Sequence, residues 1–272
     1  MLTSHPSRGV RARGFTLVEL LIVIAIIGIL IGLLVPVTLS MRQTARQAEC
    51  ANNMRQIGAA WLNFATDKRG AFPYVAHYLH EGDTNPNEVQ RNEVSWIQSL
   101  RPYLENLDSV RVCPEDPNAE ILLRVDSAYR NNTNPGVYDE QWVGNGTSYV
   151  ISEYFSSLPP RGARQRTILE QRQAKRIRRV SDLKEPSRTI LAFESNLSPW
   201  DAESGDHNHS TKWFVNRPYP RNWTYIKNET ATDRHRGSAN YLYADGRVET
   251  IAEDVMHERA KRNDNFALPG NG

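Results

Sequence analysis

The sequence predicts an α+β fold: a long N-terminal helix packed by its C-terminal half against a small antiparallel β-sheet with extended loops. Three observations carry that expectation. Residues 20–35 are apolar or glycine throughout, and with residues 15–18 and 37–39 they are long enough to cross a bilayer as a helix. Behind them Met41, Ala45, Ala48, Ala51, Met54, Ile57, Trp61 and Phe64 recur at steps of three or four, the stripe of an amphipathic helix. Further on, TILAFE at 189–194 and NYLYADGRVETI at 240–251 read as strands separated from the helix by polar, turn-rich stretches.

The apolar run reads as a membrane segment. Arg8, Arg11 and Arg13 precede it without an acid, which places the N-terminus on the cytoplasmic side and the bulk of the chain outside. The stretch after Leu34, VPVTLSMR, has no small-residue cleavage site, so the helix is expected to stay attached. Arg42, Gln43, Arg46, Gln47 and Arg55 fill the polar face of its continuation. At 1.5 Å per residue, residues 15–69 would form a rod on the order of 80 Å. Pro36 lies inside it and should bend or locally break it. Gly28 and Gly32 form a G-x-x-x-G, a pattern compatible with close helix packing.

Glu19 is the anomaly, because an ionisable group inside a lipid-embedded helix costs about 2.5–3.5 kcal/mol and needs a partner. A cut between Gly14 and Phe15 would create one, the new α-amino group of a neighbouring subunit. Gly14-Phe15-Thr16-Leu17-Val18-Glu19 followed by an apolar run resembles the prepilin peptidase site of type IV pilins and type II secretion pseudopilins. The resemblance implies a leader peptide over 1–14 removed after Gly14, N-methylation of Phe15, and a role for Glu19 in assembly. It also implies a transmembrane and assembly helix over 15–39, its amphipathic continuation over 40–70 and an exported globular domain over 71–272. The expected setting is a bacterial inner membrane crossed once, with the domain periplasmic or extracellular.

Without residues 1–14 the 33 Lys+Arg lose three arginines, leaving 30 against 31 Asp+Glu, so the processed chain is not basic overall. About 200 residues would lie outside the membrane, the size of one domain. Two cysteines are present, Cys50 and Cys113. In an oxidising compartment they could join as a disulfide pinning the domain to the helix; in the alternative reading each is a buried thiol.

In chain order, Gly70 should end the helix and Phe72-Pro73 forbid its continuation. Residues 81–92 and 131–146 read as loops, residues 94–104 as a short helix, Val110-Arg111-Val112 as a brief strand and residues 147–151 as another. Residues 161–179 hold Arg161, Arg164, Arg166, Arg172, Lys175, Arg176, Arg178 and Arg179, with Glu170 as the sole acid. Such a run can bind polyanions, but with little aromatic interleaving it reads as a solvated or subunit-contact face rather than a nucleic-acid site. Residues 204–210 read as a loop, residues 240–251 as a hairpin turning at Asp245-Gly246, and residues 251–263 as a short helix.

His235 precedes Asp245-Gly246 with nine residues between. That spacing resembles the signature of a prepilin-type processing-associated C-terminal domain, which is usually accompanied by a Cys-x-Asn-Asn and a Cys-Pro-x-Asp-Pro element. Here these are Cys50-Ala51-Asn52-Asn53 and Cys113-Pro114-Glu115-Asp116-Pro117. The reading of the residues gives His235 a structural role, bonding to the hairpin backbone or to Asp245.

Asp206, His207 and His209 are weak candidates for metal ligands. Related pseudopilins hold calcium in a C-terminal loop, but histidines suit calcium poorly, and no cofactor is expected. The sequence has no G-x-S-x-G, recognisable Cys–His pairing or phosphate-cradling glycine loop, so no enzyme is expected either. The function expected is that of a structural subunit of a type IV pilus-like or type II secretion pseudopilus filament. Its partners would be a prepilin peptidase, other pilin or pseudopilin subunits and the lipid bilayer. The alternative is a membrane-tethered extracytoplasmic binding module, an adhesin or a ligand or polyanion receptor.

Overall fold

The computed structural model describes residues 17–73, 96–123, 147–155, 177, 179–197 and 207–272. Gly14, Phe15 and Asp206, the basic residues of 161–176 and 178, and the loops 81–92 and 131–146 lie outside the described residues. The chain divides into two compact units, Met1–Ala45 and Arg46–Gly272.

Helix α1 (Leu17–Asp67) runs without interruption through Pro36, so the expected local break is absent. A proline removes one intrahelical hydrogen bond, and in a helix of 51 residues the bonds on either side maintain the path. The side chains of α1 are exposed up to Arg46, and burial sets in at Cys50. Met41, Ala45 and Ala48 of the expected stripe are therefore exposed, while Met54, Ile57, Trp61 and Phe64 are core.

The C-terminus of α1 is closed by backbone geometry. Gly70 N–H donates to Ala65 O (2.6 Å) and Arg69 N–H to Thr66 O (3.3 Å), the pair of bonds that satisfies orphan carbonyls in a Schellman ending. The left-handed position there is Arg69, at φ 54°, followed by Gly70 at φ 79°. Phe72 then turns inward and stacks on Trp61, with ring centroids 4.6 Å apart.

Helix α2 (Trp96–Ser99) and a 3₁₀ turn over Arg101–Tyr103 occupy the described part of the helix expected over 94–104. The strand expected at Val110-Arg111-Val112 is absent. Leu107–Val110 is instead a helical turn, α3, because Asn106 caps it by accepting from Ser109 N–H, and this local bond competes with extended backbone.

Five strands form one sheet in the order β3-β1-β2-β4-β5. They are β1 (Tyr149–Ser152), β2 (Ile190–Glu194), β3 (His207–Asn208), β4 (Ser238–Tyr243) and β5 (Val248–Ala252). Pairings β1–β2, β2–β4 and β4–β5 are antiparallel, whereas the two-residue β3 lies parallel to β1. The sheet is thus mixed, and β3 adds an edge within what read as a loop.

Central strand β2, ILAFE, is buried at every position. Side chains alternate between the two faces of a strand. Phe193 meets Trp213 (5.3 Å) and Tyr241 (5.8 Å), while Glu194 bonds Asn240 of β4. Helices α4 (Arg221–Glu229) and α5 (Glu253–Lys261) complete the described α-helices.

Candidate functional site

Two regions carry the residues singled out by the sequence. The first is the N-terminal part of α1. Between Leu17 and Met41 the large apolar side chains stand in the open, from Leu17 at 81% exposure to Val23 at 44%. Glu19 sits in the first helical turn, where the helix dipole favours negative charge. Nothing lies within 4 Å of where a Cβ would stand on Gly28 or Gly32, so both leave room for another chain to approach closely. Among the described residues this is the one helix long and apolar enough to cross a membrane.

The second region is a buried clasp inside the unit Arg46–Gly272. Cys50, on the first core-facing turn of α1, is joined to Cys113 by a disulfide with Cα atoms 5.1 Å apart. Asn53, three residues on and one turn along the same face, donates to Val112 O (3.3 Å). Cys113 is steadied from the other side, its N–H donating to Ser148 Oγ (2.9 Å). Three residues later the buried Asp116 meets Arg234 Nη2 at 3.3 Å, both side chains 4% exposed.

Arg234 and His235 reach this point because the chain leaving α4 runs along the end of β2. Ser195 pairs with Thr230, and Ala231 N–H donates to Glu194 O (2.9 Å). A turn with Arg236 at φ 55° and Gly237 at φ 80° then feeds β4, held by His235 N–H to Ser238 O (2.8 Å). The buried imidazole of His235 donates from Nε2 to Glu194 Oε1 (2.8 Å), and the same nitrogen lies 3.9 Å from Cys113 Sγ. Glu194 also accepts from Asn240 Nδ2 (3.1 Å) and Asn240 N–H (3.3 Å).

The side chain of His235 therefore bonds Glu194, and the reading that set it against Asp245 is corrected. Asp245 accepts from Arg247 N–H (3.0 Å) within the turn, and only Gly246 there takes a positive φ, 88°. Gly246 packs on α1: a Cβ on Gly58 would stand 3.1 Å from Gly246 O. Trp61 Nε1 donates to Ala244 O (3.3 Å). The nine-residue spacing thus spaces two anchor points along α1, His235 beside the disulfide and Gly246 two turns further on.

Burial, and after it the charge of Glu194, pushes the Tyr149 phenol well above its ordinary value. The rings of His207 and His209, the two metal candidates among the described residues, stand 5.3 Å apart centroid to centroid. His207 is buried within β3, and His209 Nδ1 donates to Glu229 Oε1 (2.7 Å), a carboxylate that also accepts from Trp213 Nε1.

Sequence reasoning missed Glu194, Arg234 and the partnership of Asp116. The signal for Glu194 was a lone acid closing an otherwise apolar strand, because a charge at a core position requires buried partners.

Residues 10–35 match the family described as the prokaryotic N-terminal methylation motif, and residues 39–109 match a family described as protein of unknown function (DUF1559). The chain is 40% identical over 58 residues to the type IV major pilin protein PilA of Myxococcus xanthus, across 21% of this chain and 26% of that protein. It is 34% identical over 80 residues to the competence protein ComGC of Bacillus subtilis, across 29% of this chain and 82% of that one. No solved structure matches the chain.

Proposed function

Because this chain belongs to the prepilin-like family, we propose that it is a filament subunit of a type IV pilus-like or type II secretion pseudopilus assembly. In this reading a prepilin peptidase cleaves it after Gly14, and Phe15 becomes the N-methylated first residue. The observation that carries the proposal is the open apolar surface of α1 from Leu17 to Met41 with Glu19 as its acid. A surface of that kind is stable in two environments. In a bilayer the lipid solvates it, and helices associate through packing rather than through the hydrophobic effect. Outside the bilayer each Leu, Ile or Val left in water forgoes about 1.5–3 kcal/mol, so a subunit leaving the membrane must bury it against copies of itself.

Glu19 sets the register in that bundle by meeting the α-amino group of a neighbour, which removes the cost of an isolated charge in an apolar core. The protein begins as a single-pass inner-membrane protein with its N-terminus cytoplasmic and the unit Arg46–Gly272 on the far side. Its role is structural.

Mass spectrometry of the N-terminal peptide, from membranes and from material sheared off cells, tests the reading. A peptide starting at methylated Phe15 in the sheared fraction is expected. An intact leader, or processed protein confined to membranes as a monomer, would sink the filament role and favour a tethered binding module.

A further inference from the structure

Among the described residues, the ligand atoms of Cys50, Cys113, Glu194 and His235 all lie within 4.8 Å of one another, and all four residues are buried. We propose that, in the dithiol state of the chain, these four side chains form a binding site for a thiophilic divalent cation of the zinc class, and that formation of the Cys50–Cys113 disulfide closes it.

The donor set is two sulfurs, one imidazole nitrogen and one carboxylate oxygen. Thiolate and imidazole together favour zinc over the hard cations that prefer all-oxygen shells. A four-ligand site with no open position is structural rather than catalytic. The geometry asks for little movement. Tetrahedral zinc with bonds of about 2.0–2.3 Å sets ligand atoms about 3.3–3.8 Å apart. His235 Nε2 already stands 3.9 Å from Cys113 Sγ and 2.8 Å from Glu194 Oε1. The first of these distances closes and the second widens by about half an ångström, the two sulfurs part once their bond is absent, and the remaining pairs, all within 4.8 Å, close by up to about 1 Å.

Groups behind the ligands are in place as well, and such support orients ligands and raises affinity. Asn240 holds Glu194 through its N–H and its amide, and its own Oδ1 accepts from Thr250 Oγ1 (2.7 Å). Ser148 fixes the Cys113 backbone, and Ser238 fixes that of His235 by donating from Oγ to its carbonyl (2.7 Å).

The balance of the two states is simple. Every chain is synthesised with both thiols reduced, so the site needs no reductant to form. Binding the cation displaces the two thiol protons and leaves two Sγ–metal bonds. A disulfide oxidant of the exported compartment accepts two electrons from the two thiolates and, taking two protons from water, is reduced to a dithiol, while the Sγ–Sγ bond forms and the cation is released.

The test uses the full chain in detergent, reduced by a phosphine and titrated with Co²⁺ as a spectroscopic probe. One Co²⁺ per chain is expected, with tetrahedral visible bands and sulfur-to-cobalt charge transfer, displaced by Zn²⁺ and absent from the oxidised chain. His235→Phe should weaken binding by at least about tenfold, and His235→Cys should retain it with stronger charge transfer. If reduction alone unfolds the chain, Zn²⁺ should restore the near-ultraviolet signal of its tryptophans. Uptake no greater than in the Cys50→Ser/Cys113→Ser double variant, an octahedral cobalt spectrum, a spectrum unchanged by His235→Cys, or no recovery of fold with Zn²⁺ would each overturn the proposal.

Discussion

At position 58 two residue-scale effects oppose each other. Glycine inside a helix costs about 1 kcal/mol relative to alanine, so propensity alone favours Gly58→Ala. The added Cβ, however, would stand 2.8 Å from Leu242 Cδ1 and 3.1 Å from Gly246 O. The leucine can swing aside, but the turn backbone cannot, and overpacking of this kind costs about 1–3 kcal/mol. Gly58→Ala is expected to lower stability by up to about 2 kcal/mol in denaturant titration; a rise would mean that the hairpin does not rest on the helix. A second residue-scale expectation concerns pH. Burial pushes the phenols of Tyr149 and Tyr241 above 10.0, assisted in both by the charge of Glu194. A folded state that holds these protons more tightly than the unfolded chain keeps their contribution in full below pH 10.0 and loses it as pH rises through the folded values. Urea midpoints should therefore fall above pH 10.0, and Tyr149→Phe should shrink that fall.

At the scale of elements, the sequence revealed what depends on local pattern. From Ala51 on, the 3.6-residue stripe lies on the core-facing part of α1, although its first positions Met41, Ala45 and Ala48 are exposed, the apolar run 189–194 became β2, and the tail became α5, because each is decided by periodicity and propensity close to home. Cys50-x-x-Asn53, Cys113-x-x-Asp116 and the spacing from His235 to Gly246 could be seen as motifs but not as one structure. Their meeting depends on long-range register: β2 must carry Glu194 to the level of Cys113 before His235 has a partner. The helical turn at Leu107–Val110 was missed for the opposite reason, since a single Asn106 cap outweighs the two β-branched valines of Val110-Arg111-Val112. The disulfide ties α1 to the loop after α3 across a sequence separation of 63 residues, a bond whose loss typically costs about 2–4 kcal/mol. Cys113→Ser should lower the unfolding midpoint correspondingly, and a midpoint equal to that of the oxidised wild type would show that packing alone fastens the helix.

For the whole molecule, the division into Met1–Ala45 and Arg46–Gly272 has a direct consequence. The second unit holds the sheet, the clasp and the buried half of α1, so a chain of residues 46–272 should be soluble and oxidise to the Cys50–Cys113 form, as judged by size-exclusion chromatography and thiol-alkylation mass analysis. In the full chain, Glu19→Ala should leave N-terminal processing intact and reduce recovery in sheared filaments; normal incorporation would remove Glu19 from assembly. The clasp also has a mechanical meaning. In the proposed filament, tension would pull each subunit along its N-terminal helix, and that load would enter the second unit only a few residues before Cys50. In the oxidised chain the load passes across a covalent bond directly to Cys113, so the 63-residue span cannot be drawn out. At about 3.4 Å per residue that withholds roughly 210 Å of chain from extension. The same subunit with its thiols reduced has only non-covalent packing to resist the pull, and stretching would peel the helix from the hairpin turn by turn.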